Sequence, residues 1–113
     1  MAVSAQFNAF VLDVLGQVRR VSARRMFGGV GYYANERIFA LADDDTLYFK
    51  VDDESRAAFV AEGMQPFQPM GPETKPMAYY AVPARLFDEV DELKVWMERA
   101  IAAGRKTWKG SAG

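Results

Sequence analysis

The chain has 113 residues, half of them apolar and 13% aromatic, which suits one compact domain around one hydrophobic core. Fourteen Lys and Arg against fifteen Asp and Glu leave a net charge of −1, so the domain as a whole lacks the positive field of a polyanion binder. It has no cysteine and no histidine, which excludes disulfides, thiolate nucleophiles and cysteine metal sites and removes the commonest general base near neutral pH and the commonest metal ligand.

The N-terminus shows no basic segment leading into an apolar run, so it does not read as a signal peptide. No apolar stretch approaches the roughly 20 residues of a membrane helix. The expected location is cytoplasmic, in a chain of bacterial style. The first helix is predicted over about Ser4–Val18, with Ser4 as N-cap. Phe7, Phe10, Val11, Val14, Leu15 and Val18 recur at spacings of three and four and form its core-facing side.

A basic stretch follows. Arg19, Arg20, Arg24, Arg25 and Arg37 face only Glu36 between residues 17 and 37. Within it, Arg24-Arg25-Met26-Phe27 leads into Gly28-Gly29-Val30-Gly31 and then Tyr32-Tyr33. Glycine at this density marks close backbone approach, a bulge or a strongly twisted strand. A three-stranded antiparallel meander is predicted, with strands over Arg24–Ala34, Arg37–Ala42 and Thr46–Val51. Its turns fall at Asn35-Glu36 and Asp43-Asp44-Asp45, residues that tolerate left-handed backbone. In the third strand Leu47, Phe49 and Val51 alternate with Tyr48 and Lys50, giving a core face and a wetter face.

Asp52 or Asp53 is expected to cap a short helix over about Glu54–Glu62, stopped at Gly63. Phe67 is placed in a short fourth strand, Pro69 to Pro76 in an irregular mobile loop, and Met77–Val82 in a fifth strand ended by Pro83. Tyr79 and Tyr80 then point to opposite faces, at least one into the core. The last helix is expected from near Asp88 to Ala103. Its stripe is Leu93, Trp96, Met97, Ala100 and Ile101, with Trp96 buried between helix and sheet and Gly104 as the stop. The fold class is α+β: two layers, an antiparallel sheet of four to five strands and three helices in the order α-βββ-α-β(β)-α. The division is a domain over 1–104 and a flexible polar tail over 105–113.

Four stretches invite a chemical reading. Asp43-Asp44-Asp45 offers oxygen ligands for Mg²⁺ or Ca²⁺, but an acidic hairpin tip explains it better, since calcium loops spread their ligands further and add a distal Glu. Asp88 to Glu92 offers paired carboxylates, but a cap at Asp88 and acidic residues in a first helical turn account for them. Gly28 to Gly31 suggests a phosphate loop, yet no Lys-Ser/Thr and no helix follow, so a strand bulge is preferred. The fourth is the candidate interaction surface: Arg24, Arg25, Tyr32, Tyr33 and Arg37 combine cations with rings, a composition that suits acidic protein partners and single-stranded nucleic acid, although a solvated pair of charges beside two core aromatics is the plainer account. The tail residues Arg105, Lys106, Trp108 and Lys109 repeat that mixture at a terminus. No catalytic, cofactor or metal residues are assigned.

Arg25-Met26-Phe27-Gly28-Gly29 with Gly31, Leu47-Tyr48-Phe49-Lys50, Tyr79-Tyr80 with Pro83, and Trp96 together resemble the N-terminal domain of the TfoX/Sxy competence-regulator family over about residues 5–103. The resemblance implies a two-layer α+β module similar in plan to secretion-chaperone-like folds, without catalytic residues. It also implies a role in competence regulation through another transcription factor. The full-length regulators carry a second, C-terminal helical domain that is not in this sequence. The expected function is a non-enzymatic regulatory module that docks a protein partner, with homodimerisation or docking at a sheet edge or on the helical layer. The alternatives are a monomer whose edges the Pro-rich loop covers and a nucleic-acid-binding accessory using residues 19–37.

Overall fold

The computed structural model describes residues 3–26, 28–68, 71 and 78–107. Helix α1 (Ala5–Gly16) opens as its sequence dictates, the Ser4 hydroxyl accepting the Phe7 N–H at 3.0 Å. Its Val11, Val14 and Leu15 are buried, whereas Phe10 is 44% exposed and lays its ring against the edge of Phe87, centroids 5.2 Å apart. Helix α2 (Asp53–Ala61) carries a reciprocal cap: the Asp52 carboxylate accepts from Ser55 N–H at 2.8 Å, and the Ser55 hydroxyl accepts from Asp52 N–H at 3.0 Å. Gly63 ends that turn with a left-handed φ of 77°.

Five strands form one antiparallel meander, β1 (Ser22–Met26), β2 (Gly29–Ala34), β3 (Arg37–Asp43), β4 (Thr46–Lys50) and β5 (Tyr79–Ala81), in spatial order β1-β2-β3-β4-β5. The two predicted acidic turns are tight hairpins: Asn35, Glu36, Asp44 and Asp45 all have positive φ. Asp45 also accepts the Ser4 N–H at 2.8 Å, tying the start of α1 to the hairpin tip.

The glycine-rich stretch departs from expectation. It is two strands, not one, because Gly28, at φ 81°, turns the chain between Met26 and Gly29. The irregularity lies one strand further on. Tyr32 faces Ala40 but Tyr33 faces Ile38, so Phe39 is an extra residue of β3. Phe39 and Ala40 are in consequence both buried. The strand expected at Phe67 is a single bridge, Pro66 to Tyr80. Most of the Pro-rich stretch, Met77 and residues beyond Thr107 fall outside the described residues.

Helix α3 (Val90–Thr107) follows a 3₁₀ turn over Ala84–Asp88. It starts later than a cap at Asp88 requires, since the Glu89 carbonyl accepts the Leu93 N–H at 2.8 Å. It also runs through Gly104 rather than stopping there. All three helices pack on one face of the sheet, where Tyr32, Phe39 and Phe49 meet Val11, Leu15, Phe59, Leu93 and Met97. Trp96, 8% exposed, packs edge-on against Phe59 of α2, centroids 4.7 Å apart. The expected α+β fold with three helices on an antiparallel sheet is the one found.

Candidate functional site

Strand parity divides the five candidate residues. Val30, Tyr32 and Ala34 of β2 point to the helices and are buried, leaving Gly31 and Tyr33 on the opposite face. Arg24 pairs with Gly31 across β1 and β2, so it shares that face, and its guanidinium carbon lies 5.0 Å from the Tyr33 ring centroid. Gly31 makes the arrangement possible. A Cβ there would meet Ile38 Cδ1 and Met26 Cε at 3.0 Å and Tyr33 Cε1 at 3.2 Å, so these side chains close over the space a larger residue would fill.

Arg25 has the other parity, opposite Val30, and its charge acts on the Tyr32 phenol. Tyr32 is fully buried and donates to Asn8 Oδ1 at 2.8 Å. That corrects its place on the interaction surface: it is a core residue of the helical side, and burial pushes its phenol up to about 12. Arg37 is half-buried at the start of β3, directly opposite Ala34, and so has the parity of the helical side rather than that of the Arg24–Tyr33 pair one position away.

The sheet face opposite the three helices holds more than the sequence assigned to it. Lys50 Nζ lies 4.9 Å from the Tyr79 ring centroid, and Tyr48 stacks at a tilt on Phe67 with centroids 4.8 Å apart. Tyr79 is 6% exposed yet stands apart from the helical core cluster. Burial, and secondly Tyr33, push its phenol up to about 12. Burial likewise lowers the Lys50 ammonium. The alternation of Tyr48 and Lys50 against Leu47, Phe49 and Val51 was the signal for this second surface. The face is therefore a half-buried platform of cations and rings, Arg24 with Tyr33 and Lys50 with Tyr79. Asp43 and Asp44 act on Tyr48 and hold its phenol above the usual value, after burial itself, so one end of the platform carries negative potential.

Glu89 and Glu92 of the second acidic stretch are engaged structurally. Arg85 donates to Glu62 at 2.6 Å, to Glu89 at 2.8 Å and to Glu92 at 2.8 Å, which binds the 3₁₀ turn to α2 and α3. A cleft of about 390 Å³ between the start of α2 and the end of α3 is lined by Asp52, Glu54, Ser55, Arg99 and Ala102. Its Asp52 and Ser55 already satisfy each other in the helix cap. Among the described residues no group of three or more carboxylates could hold a metal ion, and no helix is long and apolar enough to cross a membrane.

Residues 13–104 match the family model of the TfoX N-terminal domain, a span that takes in all five strands and ends at Gly104. A protein described as an uncharacterized 12.7 kDa protein in the trpE 5′ region of Spirochaeta aurantia is 36% identical over 59 residues. That match covers 52% of this chain and 51% of that protein, so the similarity spans about half the length of the curated relative.

Proposed function

The chain belongs to the TfoX N-terminal domain family, and from that premise we propose that it is a non-enzymatic regulatory module that works by docking a protein partner, linked to transcription control of competence-type genes. The observation that supports docking is the division of the sheet. One face is filled by three helices, while the other carries exposed Arg24 over half-buried Tyr33, next to Lys50 on the buried Tyr79 ring. Arg and Tyr concentrate binding energy because they bring large, stiff surfaces and directional contacts at small entropic cost. The test is photocrosslinking in native lysate, with a photoreactive residue replacing Tyr33 and, as control, Lys94 on the exposed side of α3. A discrete protein adduct from position 33 that is lost with Arg24→Glu supports the reading. Identical adduct patterns from positions 33 and 94 overturn it.

A second reading draws on the same Arg24–Tyr33 pair, since cations beside stacking rings also hold single-stranded nucleic acid. Asp43 and Asp44 at the end of the platform weigh against a polyanion there. Counterion release would make such binding fall steeply with salt. No binding to single- or double-stranded probes at low salt removes this reading.

A further inference from the structure

The sheet has two edges, and only one is covered among the described residues. At β5, Phe67 N–H donates to the Tyr79 carbonyl at 2.8 Å and Ala81 N–H to the Gln65 carbonyl at 2.9 Å, with Pro66 bridged to Tyr80. At the other end β1 is the terminal strand, and no described residue pairs with its outer side. Ser22, Ala23, Arg24 and Arg25 are all exposed.

The register fixes which backbone groups point outward. Met26 and Gly29 flank a two-residue turn and are directly opposed. In such hairpins the flanking pair is the hydrogen-bonded one, and bonded pairs alternate along the ladder. Met26, Arg24 and Ser22 therefore bond to β2, and Ala23 and Arg25 direct their N–H and C=O groups to the open edge.

Strand edges are usually guarded by proline, by a bulge or by charge. Strand β1 has no proline, and its register with β2 is unbroken. Its guard is positive charge: Arg24 and Arg25, with exposed Arg20 just before the strand. That charge also selects what can pair. An antiparallel second copy centred on Arg24 would set Arg24 against Arg24, and directly opposed like charges destabilise a ladder. An extended segment with carboxylates at those positions meets complementary charge and satisfies the open amides at once.

We infer that the outer edge of β1 accepts an extended acidic segment of a partner protein as a sixth strand, with adjacent carboxylates opposite Arg24 and Arg25. The inference rests on the reading of the chain as a protein-docking module and supplies the chemistry of the partner.

The test uses the full chain, ¹⁵N-labelled, and two short extended peptides, Val-Thr-Glu-Glu-Val-Thr and its Lys-Lys counterpart. The acidic peptide is expected to slow exchange of the Ala23 and Arg25 amides and to leave those of Ser22, Arg24 and Met26 unchanged, because they already bond to β2. Ala23→Pro removes one outward N–H without touching the β2 ladder and should abolish this protection. Where that variant unfolds, the Arg24→Glu, Arg25→Glu pair keeps the test decisive. It should weaken the acidic peptide about tenfold and transfer preference to the Lys-Lys peptide. Unchanged Ala23 and Arg25 exchange at saturating acidic peptide overturns the inference. If the peptide instead shifts Tyr33 and Tyr79 alone, edge pairing fails while docking on the sheet face stands. Edge protection that appears without peptide and grows with protein concentration assigns the edge to a second copy and likewise overturns it.

Discussion

Gly104 of α3 rests directly on the backbone of β3: a Cβ built on it would lie 2.5 Å from the Ile38 carbonyl oxygen and 3.7 Å from Phe39 Cα. A helical glycine normally costs stability because it exposes backbone and loses entropy. Here it sets how closely the helix approaches the sheet. Gly104→Ala is therefore expected to destabilise the domain by about 1–3 kcal/mol, as overpacking does. Gly16, also helical, has open space around its Cα, and Gly16→Ala should stabilise by about 0.5 kcal/mol. Urea midpoints of the two variants should move in opposite directions. A stabilised Gly104→Ala would show that helix and strand separate at no cost.

Gly28 and Gly29 are neighbours with different requirements. Gly28 has φ 81° and nothing within 4 Å of its Cβ position, so it needs only a residue that tolerates left-handed backbone. A Cβ on Gly29 would lie 2.5 Å from the Ala42 carbonyl oxygen, so it needs the absence of a side chain. Gly28→Ala should cost about 1 kcal/mol, and Gly28→Asn should recover part of it. Gly29→Asn should be worse than Gly29→Ala. Thermal unfolding of the four variants separates the two causes.

These glycines mark where local reading stops. Asn35-Glu36, Asp44-Asp45, the Ser4 cap and the Asp52 cap were legible because turns and helix starts are decided by a few adjacent residues. Gly104 reads locally as a helix stop, but a contact with Ile38, far away in sequence, decides its role. The division of the glycine-rich stretch into β1 and β2 was hidden for a related reason. The turn at Gly28 uses so few residues that composition on either side continues unbroken.

Trp96 was expected between α3 and the sheet, and its ring partner is Phe59 of α2, which also contacts Tyr80 at 6.0 Å. Trp96→Ala should cost about 3–5 kcal/mol. Combined with Phe59→Ala the losses should fall short of additive by about 0.5–1.5 kcal/mol, the coupling of an edge-to-face pair. Strict additivity in denaturant melts would show that the two rings contribute independently.

The site was half legible. Adjacent Tyr32 and Tyr33 must point to opposite faces, but parity alone does not say which faces the helices. The register to β1 and β3 settles it: Tyr32 reaches Asn8 and Tyr33 lies under Arg24. The buried phenols of Tyr32 and Tyr79 give a pH test. Both are raised from 10.0 to about 12, so above pH 10 the unfolded chain ionises first and releases protons that the folded chain keeps. Stability contributed by these two groups is whole below pH 10 and is lost as pH rises towards 12. Tyr32→Phe should cost about 1 kcal/mol at neutral pH through its lost hydrogen bond to Asn8 and should flatten part of the alkaline slope. Ultraviolet titration should show these phenols ionising only near unfolding. Ordinary titration of all five tyrosines in the folded protein would contradict this.

The opposite pH limb belongs to Arg85. Its guanidinium is the main cause that holds the Glu92 carboxyl down from 4.5 to about 2, and it lowers Glu62 as well. A depressed carboxyl stabilises the fold above its unfolded pKa, and that contribution is lost as pH falls from 4.5 towards 2 while Glu92 takes up its proton. The groups are solvated, so added salt should weaken the effect. Because Arg85 joins the 3₁₀ turn to Glu62, the C-cap of α2, and to Glu92 of α3, acid should loosen the attachment of α2 before the sheet yields. Arg85→Gln should show a smaller loss of urea midpoint between pH 7 and pH 3 than the unaltered chain. Amide exchange at pH 3 should open α2 ahead of β3. An acid slope unchanged by Arg85→Gln would assign the sensitivity to other carboxylates.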